Sequence, residues 1–162
     1  MVWIHSPSSR KEPKKAQVNG KTWNLTNRKR IHLRTLQKLL GRRKARIKSF
    51  LLDQKNVAGI GNVYIQDILF KSKLHPNRLV SLLSEKEVSD LYRAIKEVLN
   101  YSIQLGGLVY EKDFYGQNGK LTVEKFLVGY KTGKPCPTCK TPIEKIKTGS
   151  TSTYICPKCQ KI

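Results

Sequence analysis

From about Thr26 onward, apolar residues recur at helical spacing: Ile31, Leu33, Leu36, Leu39 and Leu40 share one stripe. Gly41 follows them and predicts the end of a first helix. A second helix is predicted from about Arg42 to Lys55. It turns Ala45, Ile47, Phe50 and Leu51 inward and Arg42, Arg43, Lys44, Arg46 and Lys48 outward. Val57-Ala58-Gly59-Ile60-Gly61-Asn62 then reads as a tight glycine turn. A third helix is expected from Val63 to about Lys73, with Val63, Ile68 and Leu69 inward and His75-Pro76 as its stop. Ser84-Glu85-Lys86-Glu87 has the form of a capping box. It opens a fourth helix with Val88, Leu91, Ala94 or Ile95, Val98 and Ser102 on one face, closed by Gly106-Gly107. Residues 108–130 lose the period around Gly116 and Gly119 and read as a connecting loop with a short helix from Thr122 to Leu127.

This pattern predicts a mainly α protein: a four-helix domain over 25–107, the loop over 108–130, and a small β-hairpin module over 131–162. Residues 1–24 carry little apolar periodicity. Arg10, Lys11, Lys14, Lys15 and Lys21 make them a flexible basic arm.

The last module holds the firmest chemistry. Cys136-Pro137-Thr138-Cys139 and Cys156-Pro157-Lys158-Cys159 contain all 4 cysteines of the chain. A two-residue gap lets both thiolates of a pair face one point, and two such knuckles on a hairpin make a closed tetrahedral site. One structural Zn²⁺ on Cys136, Cys139, Cys156 and Cys159 is the reading. Iron suits four thiolates as well, and two disulfides are the alternative for a secreted chain. Nothing in the sequence marks secretion: no apolar stretch of signal-peptide form follows Met1, and Ser6-Pro7-Ser8-Ser9 breaks the segment early.

Charge narrows the partner. Lys and Arg number 32 against 11 Asp and Glu, a formal net charge of +21. Such an excess repels itself in the compact state and points to a polyanion. No apolar run approaches the roughly 18 residues of a membrane span, so a cytoplasmic, nucleoid-associated protein is expected. The glycine turn is the candidate contact. Amides at such a turn and at the opening of the next helix lack intrahelical partners, and together with the helix dipole they suit a phosphate oxygen. Asn62 adds a side-chain amide and Lys48 a charge from the preceding helix. A steric helix–helix turn is the plainer alternative. His5, His32 and His75 are scattered and read as surface or cap residues, Asp53 and Glu111 as ion-pair or cap residues, and Tyr64 as packing beneath the turn. Trp23 reads as packing on the first helix.

The wider string Ile47-Lys48-Ser49-Phe50-Leu51-Leu52-Asp53-Gln54-Lys55-Asn56-Val57-Ala58-Gly59-Ile60-Gly61-Asn62-Val63-Tyr64 resembles the helix–two-turn–helix signature of the formamidopyrimidine-DNA glycosylase and endonuclease VIII family. Leu69-Phe70, His75-Pro76, Gly106-Gly107 and Cys156-Pro157-Lys158-Cys159-Gln160 extend the likeness from about residue 26 to 162. The resemblance implies base-excision repair: a damaged base is flipped out of the duplex, its glycosidic bond is cut, and the strand is nicked. Flipping costs a few kcal/mol of stacking and pairing. It implies that Lys48, Gly59, Ile60, Gly61 and Asn62 contact phosphates and that the four cysteines hold zinc. The family's nucleophile is an N-terminal proline amine followed by a glutamate, in a separate β-rich domain. This chain opens Met1-Val2-Trp3, so no catalytic residue is assigned. Thr151 stands where the family places an arginine, with Lys147 as the cation that compensates; Gly106-Gly107-Leu108-Val109 replaces Gly-Gly-Thr-Thr, and Asp67 replaces a glutamate. The leading expectation is a module that grips duplex DNA, damaged or abasic, through phosphates. The alternatives are a glycosylase and lyase completed by a separate N-terminal catalytic domain, and a ribosomal or RNA-associated basic protein.

Overall fold

In the computed structural model, residues 32–162 are described apart from Arg42 and Phe114, and Ile31–Ile162 form one compact unit. The predicted basic arm over 1–24 lies outside the described residues, as does the part of the expected first helix before His32. Four helices follow in order: α1 (Leu33–Leu40), α2 (Ile47–Leu52), α3 (Tyr64–Lys71) and α4 (Glu85–Gln104). A two-stranded antiparallel hairpin, β1 (Glu144–Thr148) and β2 (Thr151–Ile155), completes the unit. The mainly α class with a C-terminal hairpin is as the apolar pattern requires.

The main core lies between the helices. Leu36, Leu40, Ile47, Leu51, Ile60, Ile65, Ile68, Leu69 and Leu91 are buried there, with Val57, Leu74, Val80, Ala94 and Ile95 around them. α4 starts on the expected capping box: Glu87 N donates to Ser84 Oγ at 3.2 Å, and Ser84 N donates to Glu87 Oε2 at 2.7 Å. It ends when Gly106 N and Gly107 N turn back onto Ile103 O and Ser102 O, with Gly106 in the left-handed region at φ 70°.

Three boundaries differ from the pattern. The second helix spans only Ile47–Leu52, not Arg42–Lys55. Upstream, Val80 N donates to Ala45 O and Arg46 bridges Leu79, so tertiary pairing holds this stretch extended. Downstream, Lys55 N donates to Asp53 Oδ1 and folds the chain into a turn. The third helix stops at Lys71 rather than Lys73. Lys73 N bonds Phe70 O and Leu74 N bonds Leu69 O, with Lys73 at φ 57°, so a left-handed cap ends the helix before Pro76 is reached. Between Thr122 and Leu127 there is only a three-residue 3₁₀ turn, Val123–Lys125.

Four buried polar side chains join the hairpin module to the helices. Lys48 and Gln66 meet the hairpin itself, Asp67 meets the chain entering it, and Gln160 bonds the second cysteine knuckle. Gln160 Nε2 donates to Leu74 O while its Oε1 accepts from Cys156 N, both at 3.0 Å. The Asp67 carboxylate accepts the amides of Leu127, Val128 and Gly129 at 2.7–3.2 Å. An aspartate suffices there because the chain itself comes to the carboxylate.

Candidate metal centre and nucleic-acid interface

The four cysteine sulfurs lie within 4.8 Å of one another. The distances from Cys136 to Cys159, Cys139 to Cys156 and Cys139 to Cys159 are 3.9, 3.3 and 3.5 Å. Four sulfurs at the usual Zn–S length of about 2.3 Å in a tetrahedron stand about 3.8 Å apart, so the cage has the size for one zinc ion. All four ligands come from protein, which makes this a closed, structural site. Cys139 Sγ lies 3.3 Å from Thr141 Oγ1, and that hydrogen bond chiefly pulls the Cys139 thiol down to about 6. Burial first, then the neighbouring sulfurs, pushes Cys159 up to about 12. A divalent cation settles this competition for protons by taking all four groups as thiolates.

The glycine turn is exposed at Gly59 and Gly61. Gly59 has φ 94°, which a side chain rarely tolerates, and its amide donates to Gln54 Oε1 at 2.9 Å. Gly61 is different: its φ is not in the left-handed region, and a Cβ built there meets nothing within 4 Å. Nothing among the described residues requires glycine at that position. The amides of Ile60, Gly61 and Asn62 donate to no acceptor among the described residues. Gln66 Nε2 donates to Asn62 O at 2.8 Å and reaches Asn62 Oδ1 at 3.4 Å, and the Asn62 side-chain nitrogen donates to no acceptor among the described residues.

Of the residues expected to touch phosphate, Ile60 offers its backbone alone and Lys48 is buried. The Ile60 side chain is fully buried in the helical core, because the turn needs one apolar anchor, so the expectation for this residue stands on its amide alone. Lys48 is 2 % exposed. Its Nζ, with three N–H donors, lies among four acceptors, Thr148 Oγ1, Thr151 Oγ1, Thr153 Oγ1 and Ser152 O, at 2.9, 2.8, 2.7 and 3.1 Å. The ammonium is an internal strut for the hairpin tip, and among the described residues its partners are all neutral oxygens. Burial lowers its pKa to about 8. Its charge therefore sits beneath the tip rather than on the surface.

The tip is a two-residue loop, Gly149-Ser150, with Gly149 at φ 62° as a type II′ turn requires. Lys147 is exposed on β1 opposite Ser152. Thr151 is half-buried, its hydroxyl accepting from Lys48 and donating to Thr148 O at 3.4 Å. Gln66, unnoticed in the sequence, connects the two contact regions: beside its bonds to Asn62, its Oε1 accepts from Tyr154 N on β2 at 3.1 Å. Tyr64, expected beneath the turn, accepts from Ser102 Oγ at 3.0 Å on its hydroxyl.

Comparison with known proteins matches this arrangement part by part. Residues 25–113 match the formamidopyrimidine-DNA glycosylase H2TH domain, and residues 133–162 match the zinc finger found in FPG and IleRS. The formamidopyrimidine-DNA glycosylase of Listeria innocua is 44% identical over 117 residues, 71% of this chain and 42% of that protein. The enzyme of Pelotomaculum thermopropionicum is 43% identical over 129 residues, 78% of this chain and 46% of that protein. The chain thus spans a little under half the length of these relatives. Among solved structures, the MutM (FPG) protein of Thermus thermophilus superposes with a TM-score of 0.73 at 33% identity, covering 80% of this chain and 50% of that one. The complex between Lactococcus lactis Fpg and an abasic-site-containing DNA gives 0.74 at 33% identity, covering 82% and 49%. With its helical unit, glycine turn and tetrathiolate cage all accounted for, the chain belongs to the formamidopyrimidine-DNA glycosylase H2TH-domain family, joined to a structural zinc finger of the FPG type.

Proposed function

We propose that this chain grips duplex DNA through its phosphates, at damaged or abasic sites, with the glycine turn and the zinc-hairpin tip as its two contact points. Gly61 carries the reading. It is exposed, free of backbone strain and free of internal neighbours, so the absence of a side chain serves a body that approaches from outside. Gly59 shapes the turn, the free amides of Gly61 and Asn62 and the Asn62 side chain supply donors, and Lys147 and Thr151 supply the hairpin contact. A polyanion also answers the net charge of +21. Asp53 is the one acid between residues 26 and 62, whereas Glu85, Glu87, Asp90 and Glu97 collect on α4, so α4 lies away from the strand. Glycosylase and strand-nicking activity, which the family resemblance implies for the whole enzymes, is proposed to need a domain that brings the proline amine and glutamate.

Gly61→Ala tests this directly. The added methyl enters open space, so the melting temperature stays within a few degrees. Duplex affinity falls about tenfold or more, the worth of one charge-assisted hydrogen bond. The wild-type affinity declines on a log–log salt plot with a slope of about −0.9 for each phosphate neutralised. A slope near zero, or unchanged affinity in Gly61→Ala, refutes the proposal.

A further inference from the structure

Tyr130 carries an aromatic side chain on a left-handed backbone, at φ 60°. That conformation is a genuine outlier for a bulky residue and favours glycine or asparagine. Packing gives little reason to keep a ring there, since Tyr130 is 46 % exposed. Its ring does have aromatic neighbours. The Phe126 centroid is 6.2 Å away and the Tyr154 centroid 5.1 Å away, with interplanar angles of 39° and 44°. Phe126 is buried and backs the group, while Tyr130 leaves about half of its surface to solvent. Tyr110, on the loop after α4, is 70 % exposed. Burial first, then the phenols of Tyr110 and Tyr154, raise the pKa of Tyr130, so this ring is neutral and does not repel a polyanion.

This group lies beside the contact points already described. Tyr154 N is held by Gln66 Oε1, and Gln66 Nε2 holds Asn62 O at the end of the glycine turn. Tyr64, two residues beyond Asn62, packs on the apolar cluster that holds Phe126, whose ring neighbours Tyr130. Aromatic side chains therefore run from Tyr64 beside the glycine turn through Phe126 and Tyr130 to Tyr154 on the hairpin. Strain kept at an exposed residue, on a cationic protein, beside free phosphate donors, is the pattern of a ligand contact rather than of a core. Every nucleobase has a flat face, and stacking of bases on aromatic side chains needs no particular sequence.

We propose that Tyr130, with Tyr154 beside it and Phe126 behind it, is a stacking shelf for an unpaired nucleobase of the bound DNA. The inference rests on the duplex-binding reading and adds a preference to it: DNA with an unstacked base is favoured over perfectly paired DNA.

The test compares two oligonucleotide duplexes of equal length, one fully paired and one with a single bulged thymine, against the zinc-loaded chain. The wild type is expected to bind the bulged duplex about 5- to 150-fold more tightly, the range that stacking of one base supplies. Tyr130→Gly and Tyr130→Asn both accept the left-handed backbone and remove the ring. They are expected to keep the fully paired affinity and the fold while losing the preference. Tyr130→Phe keeps the ring and is expected to keep the preference. Equal wild-type affinity for the two duplexes overturns the shelf and leaves the clamp standing. So does a preference that survives in Tyr130→Gly, or a parallel loss on both duplexes. Absence of binding to either duplex overturns both readings.

Discussion

Replacing Lys48 with methionine separates an internal strut from a phosphate contact. The stem of Lys48 is sealed among the helices and its ammonium lies among four neutral oxygens of the hairpin. Burial takes the pKa from 10.5 down to about 8. At about 1.4 kcal/mol per pH unit, holding this charge inside costs on the order of 3 kcal/mol relative to the unfolded chain. The sign follows from proton counts. Below pH 8 the lysine is charged in both states, so the cost is full and independent of pH. Between about 8 and 10.5 the unfolded chain binds more proton than the folded one, so stability rises with pH across that window. About 2 kcal/mol is recovered by about pH 9.5. Methionine fills the same channel without charge, and the stranded hydroxyls of Thr148 and Thr153 already bond each other. The assay is urea unfolding of wild type and Lys48→Met, both zinc-loaded, at neutral pH and about pH 9.5. Only the wild type is expected to show this gain, measured as the difference between the two proteins. DNA binding gives the second readout: a strut leaves the salt slope alone, whereas loss of a phosphate ligand flattens it by about 0.9. Identical pH dependence in the two proteins, or a flattened slope in Lys48→Met, refutes the assignment.

Two further outcomes follow from the joints around the zinc finger. Chelation of the metal is expected to unfold the hairpin module and to loosen α3 with it, because Lys48, Gln66, Asp67 and Gln160 lose their partners together; loss of far-ultraviolet helical signal in step with cysteine alkylation checks this. Asp67→Asn replaces an acceptor of three amides with a group that also carries donors, and is expected to destabilise the fold by about 1–3 kcal/mol in urea melts without changing the salt slope of DNA binding.

Features encoded by neighbouring residues were readable in the sequence. The capping box of α4 needs only Ser84 and Glu87, three positions apart, and both of its hydrogen bonds form. The two cysteine knuckles needed only spacing, because a ligand's chemistry sets their geometry. What escaped depends on residues far apart. The period predicts too long a second helix because it cannot register that Ala45 and Arg46 pair with Val80 and Leu79. Lys48 looked like one of a cationic row, and its burial follows from threonines about a hundred positions later that close over it. Gln66 and Asp67 carried a faint signal as polar residues in the middle of an otherwise buried helix. The left-handed backbone of Tyr130 carried none, since the residue order Gly129-Tyr130 gives no hint of which of the two takes the turn.

The Gln66 carboxamide, which donates to Asn62 O through Nε2 and accepts from Tyr154 N through Oε1, has a mechanical consequence. It ties the glycine turn to the hairpin as a crossbar ties the arms of a caliper. A straight double helix and a kinked one offer phosphates at different separations, so the proposed clamp, held at one span, would take the two unequally.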